Sequence, residues 1–168
     1  MHIKTLLNHK IKFKGFVFQT PSLEREKNRL KVPVIPRKNN KPICSRCGKP
    51  GAVYDHLQPR DFLLPPIWNI VVVMLYTMRR VNCKYCEKVV VEQVPWATGK
   101  SPVTKQFAAF LAFWARKLSW KDTALTFQVS WDIVADSVTW VVDWGLKRRS
   151  LDNITAIGVD DIVVACYG

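Results

Sequence analysis

Cys44-Ser45-Arg46-Cys47 and, farther on, Arg79-Arg80-Val81-Asn82-Cys83-Lys84-Tyr85-Cys86 decide how the front half of this chain is read. Two Cys-x-x-Cys pairs on separate turns can supply four thiolates to one tetrahedral zinc ion. The second pair arrives from a distant segment, so a metal there would close a long loop and tie two hairpins together. Apparent zinc binding of roughly 10–16 kcal/mol at neutral pH exceeds what a core this small supplies. Gly48 follows Cys47 and tolerates the positive φ of a knuckle turn. Glu87 and Lys88 follow Cys86 and tolerate it less well, which makes the first knuckle the cleaner one. The same thiols could instead form redox dithiols or a disulfide framework. Against this, the stretch from Met1 to Thr20 carries Lys4, Lys10, Lys12 and Lys14 and lacks the continuous apolar core of a secretory signal, pointing to a reducing cytosol. Cys166 has no partner at ligand spacing and sits in an apolar run, so it reads as a buried strand residue. His56 is a weaker ligand candidate, because four cysteines already complete a structural site.

With 168 residues, 48% of them hydrophobic, the chain can hold one ordinary domain or two small ones. Its longest apolar stretch, Ile67 to Met78, is too short to span a bilayer and runs into Arg79 and Arg80, so no membrane association is expected. The net charge of +13 points to a polyanionic partner, with nucleic acid first among candidates. Residues 1–50 carry 13 lysines and arginines against 2 acids, so the positive field belongs to the front end. Its candidate DNA contacts are Lys10, Lys12, Lys14, Arg37 and Lys38, joined by Arg79 and Arg80. The alternative for residues 20–42 is a solvated tail without fixed structure.

Alternation in Lys12 to Gln19 and Arg29 to Ile35 predicts two strands, and Pro33 restricts the second to a sheet edge. A turn at Pro65 and Pro66 leads into a strand from Trp68 to Val81 that delivers Cys83, and Lys88 to Val94 returns. The middle of the chain thus reads as a β-ribbon with zinc at one end. Beyond Pro95 the pattern becomes helical. A first helix runs from about Pro102 to Leu118 with Ser101 as cap; a second runs from Ser119 to Gln128, with Asp122 favouring its amino end. A third runs from Trp131 to about Arg148, with Trp131, Ala135, Val138, Val142 and Gly145 on its buried face.

The last two helices, joined by Gln128 to Ser130, match a helix-turn-helix: Ala124 in the first, Val129 in the turn, Val134 in the second. Gln128 stands where glycine is usual. The outer face of the third helix carries Asp132, Asp136, Thr139 and Asp143, and such carboxylates are repelled by phosphate. The alternative is a bundle that packs or forms a homodimer, with exposed tryptophans such as Trp140 at the interface. Gly99-Lys100-Ser101 looks like the end of a phosphate-binding loop, but Val94 occupies the place of its first glycine. Ile154 to Tyr167 is a nearly unbroken apolar run broken by Gly158, Asp160 and Asp161; it reads as the opening strand of a further domain.

Taken in order, the first knuckle, Tyr54-Asp55 with Arg60, the Arg-Arg-Val-x-Cys-x-x-Cys strand, the exit through Glu92 and Pro95, the helix-turn-helix and Ile157-Gly158-Val159-Asp160-Asp161 resemble the ISL-three group of bacterial insertion-sequence transposases. The resemblance runs over most of the chain from about residue 40. Behind the basic β/arm segment read above (1–40), it implies an α+β, multi-module organisation: a zinc-ribbon-like β module (41–95), a three-helix helix-turn-helix region (96–150) and the truncated start of an RNase H-like catalytic domain (151–168). It further implies Cys44, Cys47, Cys83 and Cys86 as ligands of a structural Zn2+, and Asp160 as the first acid of a catalytic triad. Mg2+ would enter only with a complete catalytic domain, where paired ions activate the attacking oxygen and stabilise the leaving one. The implied partner is DNA at the element's inverted repeats, in a bacterial cytoplasm and beside the nucleoid. The rival from another class is a zinc-stabilised protein-interaction or dimerisation module.

Overall fold

The computed structural model describes residues 3–150, an α+β chain of four helices and one mixed seven-stranded sheet. Helix α1 (Ile3–Lys10) precedes β1 (Phe16–Phe18), β2 (Ser22–Glu24), β3 (Arg29–Pro36) and β4 (Ile43–Cys44). Strands β5 (Ala52–Ile67), β6 (Ile70–Cys83) and β7 (Lys88–Gln93) follow, then α2 (Lys105–Trp114), α3 (Trp120–Phe127) and α4 (Trp131–Leu146). The path through the sheet is β1-β3-β6-β7-β4, with β2 also on β3 and β5 also on β6.

The sheet crosses the boundary expected at residue 40, because β3 pairs in parallel with β6, from Arg29 opposite Val71 to Pro33 opposite Leu75. Residues 20–36 therefore carry strands within the sheet, where the sequence left a solvated tail open. Pro33 is also not at an edge, since β3 lies between β1 and β6. Its carbonyl accepts from the Gln19 N–H at 2.8 Å. In an extended strand the N–H and C=O of one residue point the same way, so the donor Pro33 lacks faces the end of the β1 ladder and β6 loses nothing.

The turn expected at Pro65 and Pro66 lies instead at Trp68 and Asn69, both at positive φ (49° and 62°), the conformation of a tight two-residue hairpin. Strand β5 therefore runs through Pro59, Pro65 and Pro66. Its pairing with β6 shifts register between His56 and Pro59 and again between Leu64 and Ile67, so Pro65 and Pro66 fall where ladder pairing is interrupted and Pro59 borders such an interruption.

One face of the sheet closes over Phe16, Phe18, Leu30, Val32, Met74 and neighbours, centred on the fully buried Trp96. Phe13, Phe16, Phe62 and Tyr76 surround that indole at centroid distances of 5.1, 4.8, 6.0 and 5.0 Å. On the other side, Leu63 packs with Val103, Phe107 and Leu111 of the helical layer. Helix α2 begins later than expected and is capped by Thr104, whose side chain accepts from Phe107 N, not by Ser101. Residues 102–104 are held extended on β5: Leu63 N donates to Pro102 O and Thr104 N to Leu63 O. Helix α3 has the expected Ser119 cap, closed by Asp122.

Helix α4 turns a different face inward. Val134 and Ser137 are buried and Ile133 and Trp140 pack against α2, whereas Trp131, Val142 and Gly145 are exposed. Trp140 is thus a packing residue, and the exposed tryptophans of α4 are Trp131 and Trp144. Asp132, Asp136, Thr139 and Asp143 point outward as expected. Among the described residues, no helix is long and apolar enough to cross a membrane. Asp160, Asp161, Cys166 and the expected RNase H-like strand lie outside the described residues.

Candidate functional site

Two knuckles meet where β4, β6 and β7 end. In the first, Gly48 N donates to Cys44 O and Cys44 N to Lys49 O, both at 2.9 Å, and Gly48 takes φ +70°. In the second, Cys83 stands opposite Lys88 across the β6–β7 hairpin, and Glu87 takes φ 52°. The second turn thus reaches the same left-handed conformation with a side chain that pays a steric cost for it. Pairing of β4 with β7, Cys44 opposite Glu92, brings the two knuckles together.

All four Sγ atoms lie within 4.8 Å of one another, with Cys44···Cys86 at 3.9 Å and Cys47···Cys83 at 3.6 Å. Zn–S bonds of about 2.3 Å in a tetrahedron require sulfur–sulfur edges of about 3.8 Å, whereas a disulfide requires about 2.0 Å. The spacing fits the first and excludes the second, and all four thiols are free. The cluster could therefore hold a metal ion such as zinc. Cys44 is fully buried, and backbone N–H groups from Cys47 and Arg46 hold its thiol down at about 6, Arg46 N lying 3.4 Å from its Sγ. Cys86 is pushed up to about 12, chiefly by hydrogen bonding to Cys47 and then by burial. A crowd of thiols thus ionises one member readily and resists ionising the next, the electrostatic condition that a divalent cation relieves. His56 is exposed on β5 and is not part of the cluster.

Beside the knuckles, Arg79 is only 4% exposed and sits on the Glu92 carboxylate, with Nη2 at 2.6 Å from Oε2 and Nε at 3.1 and 3.0 Å from the two oxygens. Glu92 also accepts from Tyr76 Oη at 2.7 Å and Arg79 N at 2.8 Å. Asn40 takes the rest of the guanidinium through its backbone and side-chain oxygens, both at 3.1 Å. Burial disfavours the Arg79 cation, but the hydrogen bonds and charge of Glu92 outweigh it and raise its pKa. Burial and the same carboxylate push the Tyr76 hydroxyl up. Arg79, expected on sequence grounds to contact DNA, is thus a buried structural residue with its donors engaged. Glu92 alternates with Val90 of β7 and with Val94 just beyond the strand, and that carboxylate between two apolar neighbours was the legible sign of an internal partner.

Arg80 forks onto Asp55 through Nε (2.6 Å) and Nη2, stacks over the Tyr54 ring at 5.3 Å, and lowers the Asp55 pKa mainly by hydrogen bonding. Arg60 reaches away to the carbonyls of Lys100 and Ser101. Lys10, Lys12, Lys14, Arg37 and Lys38 are exposed. Of these, Lys14 and Arg37 line one groove, together with Lys41, which lies in the basic front end but was not singled out, and Lys105, which lies outside it.

Comparison with protein-family models, with curated proteins and with solved structures gives no match for this chain.

Proposed function

We propose that this chain is a DNA-binding region organised by a structural zinc ion, of the kind the ISL-three transposases place before their catalytic domain, and that it holds the ends of a mobile element. The observation that carries this reading is the convergence of Cys44, Cys47, Cys83 and Cys86 at tetrahedral spacing in a chain of net charge +13. Zinc would cross-link the two knuckles and take no part in a reaction. The acidic outer face of α4 repels phosphate, so the reading assigns the DNA contact to the sheet and its loops. Asp160 enters it as the first acid of a Mg2+-dependent triad.

Metal analysis of the purified protein is expected to give one zinc per chain, lost in Cys83→Ser. Fluorescence anisotropy with inverted-repeat duplex is expected to show binding that weakens steeply with salt and disappears on chelation. A metal-free protein that is fully folded overturns the zinc assignment; binding indifferent to salt and zinc overturns the DNA assignment. The exposure of Trp131 (52%) and Trp144 (49%) favours a second reading, a protein interface on α4. A strict monomer in light scattering would remove its self-association form.

A further inference from the structure

Lys14, Arg37, Lys41 and Lys105 converge on an open groove of about 740 Å³ between the loops that precede β1 and follow β3 and the segment that leaves β7. Lys14, Arg37 and Lys41 are exposed and Lys105 is half-buried; among the described residues none of the four makes an ion pair. The carboxylate in the groove, Glu92, is neutralised by Arg79 beneath it. The groove therefore presents uncompensated positive charge over an electrically neutral floor.

That charge is held in place by backbone. Gly15 O accepts from both Arg37 N and Asn40 Nδ2 at 2.8 Å, and Asn40 N donates to Arg37 O at 2.8 Å. Gly15 has φ +85°, and a Cβ there would lie 1.7 Å from Asn40 Nδ2, so only glycine allows the two loops to meet. Asn40 is also anchored to the Arg79 guanidinium. Lys14 and Arg37 thus flank a locked junction, and Lys41 follows it immediately. Four like charges held together repel one another and gain most from a polyanion laid along them.

We infer that this groove is the phosphate track of the protein: it takes the sugar–phosphate backbone of duplex DNA, with Lys14, Arg37, Lys41 and Lys105 on successive phosphates. The inference rests on the DNA-binding reading above and adds where the backbone lies. Such contacts position the duplex and carry no sequence information of their own.

The test compares Lys14→Gln/Arg37→Gln/Lys41→Gln with a control of equal charge change on exposed residues outside the groove, Arg25→Gln/Lys27→Gln/Lys121→Gln. Each neutralised phosphate contributes about 0.9 to the slope of log affinity against log salt, so three lost contacts reduce the slope by about 2.7. Between 50 and 200 mM salt this is about a 40-fold smaller loss of affinity than in the wild type. The groove variant is expected to bind duplex weakly with that shallower slope, and the control to keep the wild-type slope. DNA is likewise expected to raise the melting temperature of the wild type and the control but not of the groove variant.

Equal losses in both variants would mean diffuse charge attraction and overturn the track. Wild-type behaviour in the groove variant would overturn the track and leave DNA binding standing elsewhere. A wild type that binds no duplex overturns the functional reading itself. Stronger groove-dependent binding of poly-aspartate than of duplex would assign an acidic protein partner in place of DNA.

Discussion

Replacing Glu92 by glutamine tests the internal electrostatics most sharply. The Arg79–Glu92 pair is nearly dry, with side-chain exposures of 5% and 1%. Glutamine preserves the shape and keeps one oxygen for Tyr76 Oη and Arg79 N, but it removes the charge and turns an amide toward a guanidinium that has only donors. The result is an uncompensated cation in the core, a change that costs about 3–5 kcal/mol. At about 2–4 °C per kcal/mol for a chain of this size, the melting temperature should fall by about 6–20 °C. Urea denaturation followed by circular dichroism, with zinc present throughout, measures the loss directly. Adding Arg79→Met to Glu92→Gln removes the stranded charge, so the double variant should be more stable than Glu92→Gln alone. A loss below about 1 kcal/mol in Glu92→Gln, or a double variant that loses the full sum of both singles, would refute the claim that the two charges are coupled in a dry site.

Asp55 gives a pH test. Arg80 holds its carboxyl below the usual carboxylate range, so the pair's stabilisation is present above the unfolded-state value of about 3.9 and is lost as pH falls through the folded value. The stability difference between wild type and Asp55→Asn should be constant at neutral pH and shrink below about pH 4; a difference that grew with acid would contradict this sign. Gln128 closes α3 at φ 54°, ψ 44°, so Gln128→Gly should stabilise the protein by about 1 kcal/mol in thermal melts, and a destabilised variant would disprove backbone strain at that turn.

The cysteine cluster was legible because its signal is local: two Cys-x-x-Cys turns each bring their own sulfurs together, and only the meeting of the turns needed the sheet. The start of α3 was legible for the same reason, since Ser119 and Asp122 cap each other within one turn. Helix α4 was misread on its buried side because apolar residues fill a wide arc on either side of its acidic stripe, so periodicity does not choose within that arc and α2 does. Pro33 was expected to confine its strand to a sheet edge and Pro65 and Pro66 to make a turn, yet Pro33 sits where the β1 ladder ends and Pro65 and Pro66 sit within a register shift, properties of pairing that no short window contains. The groove escaped for a related reason. Lys14, the Arg37–Lys41 segment and Lys105 are far apart in the chain and become neighbours only through the Gly15–Asn40 junction and the β4–β7 pairing.

The parallel pairing of β3 with β6 also dictates an order of assembly. Strands β5 and β6 can close on each other through their own two-residue turn, but Arg29 finds its neighbour only at Val71 and Pro33 only at Leu75. While the polypeptide emerges from the ribosome, Leu30 and Val32 therefore have no sheet partner on that side until the following hairpin is made. Through that interval an open apolar strand coexists with the most cationic stretch of the protein. Mutual repulsion among nascent copies then guards an edge that would otherwise stick.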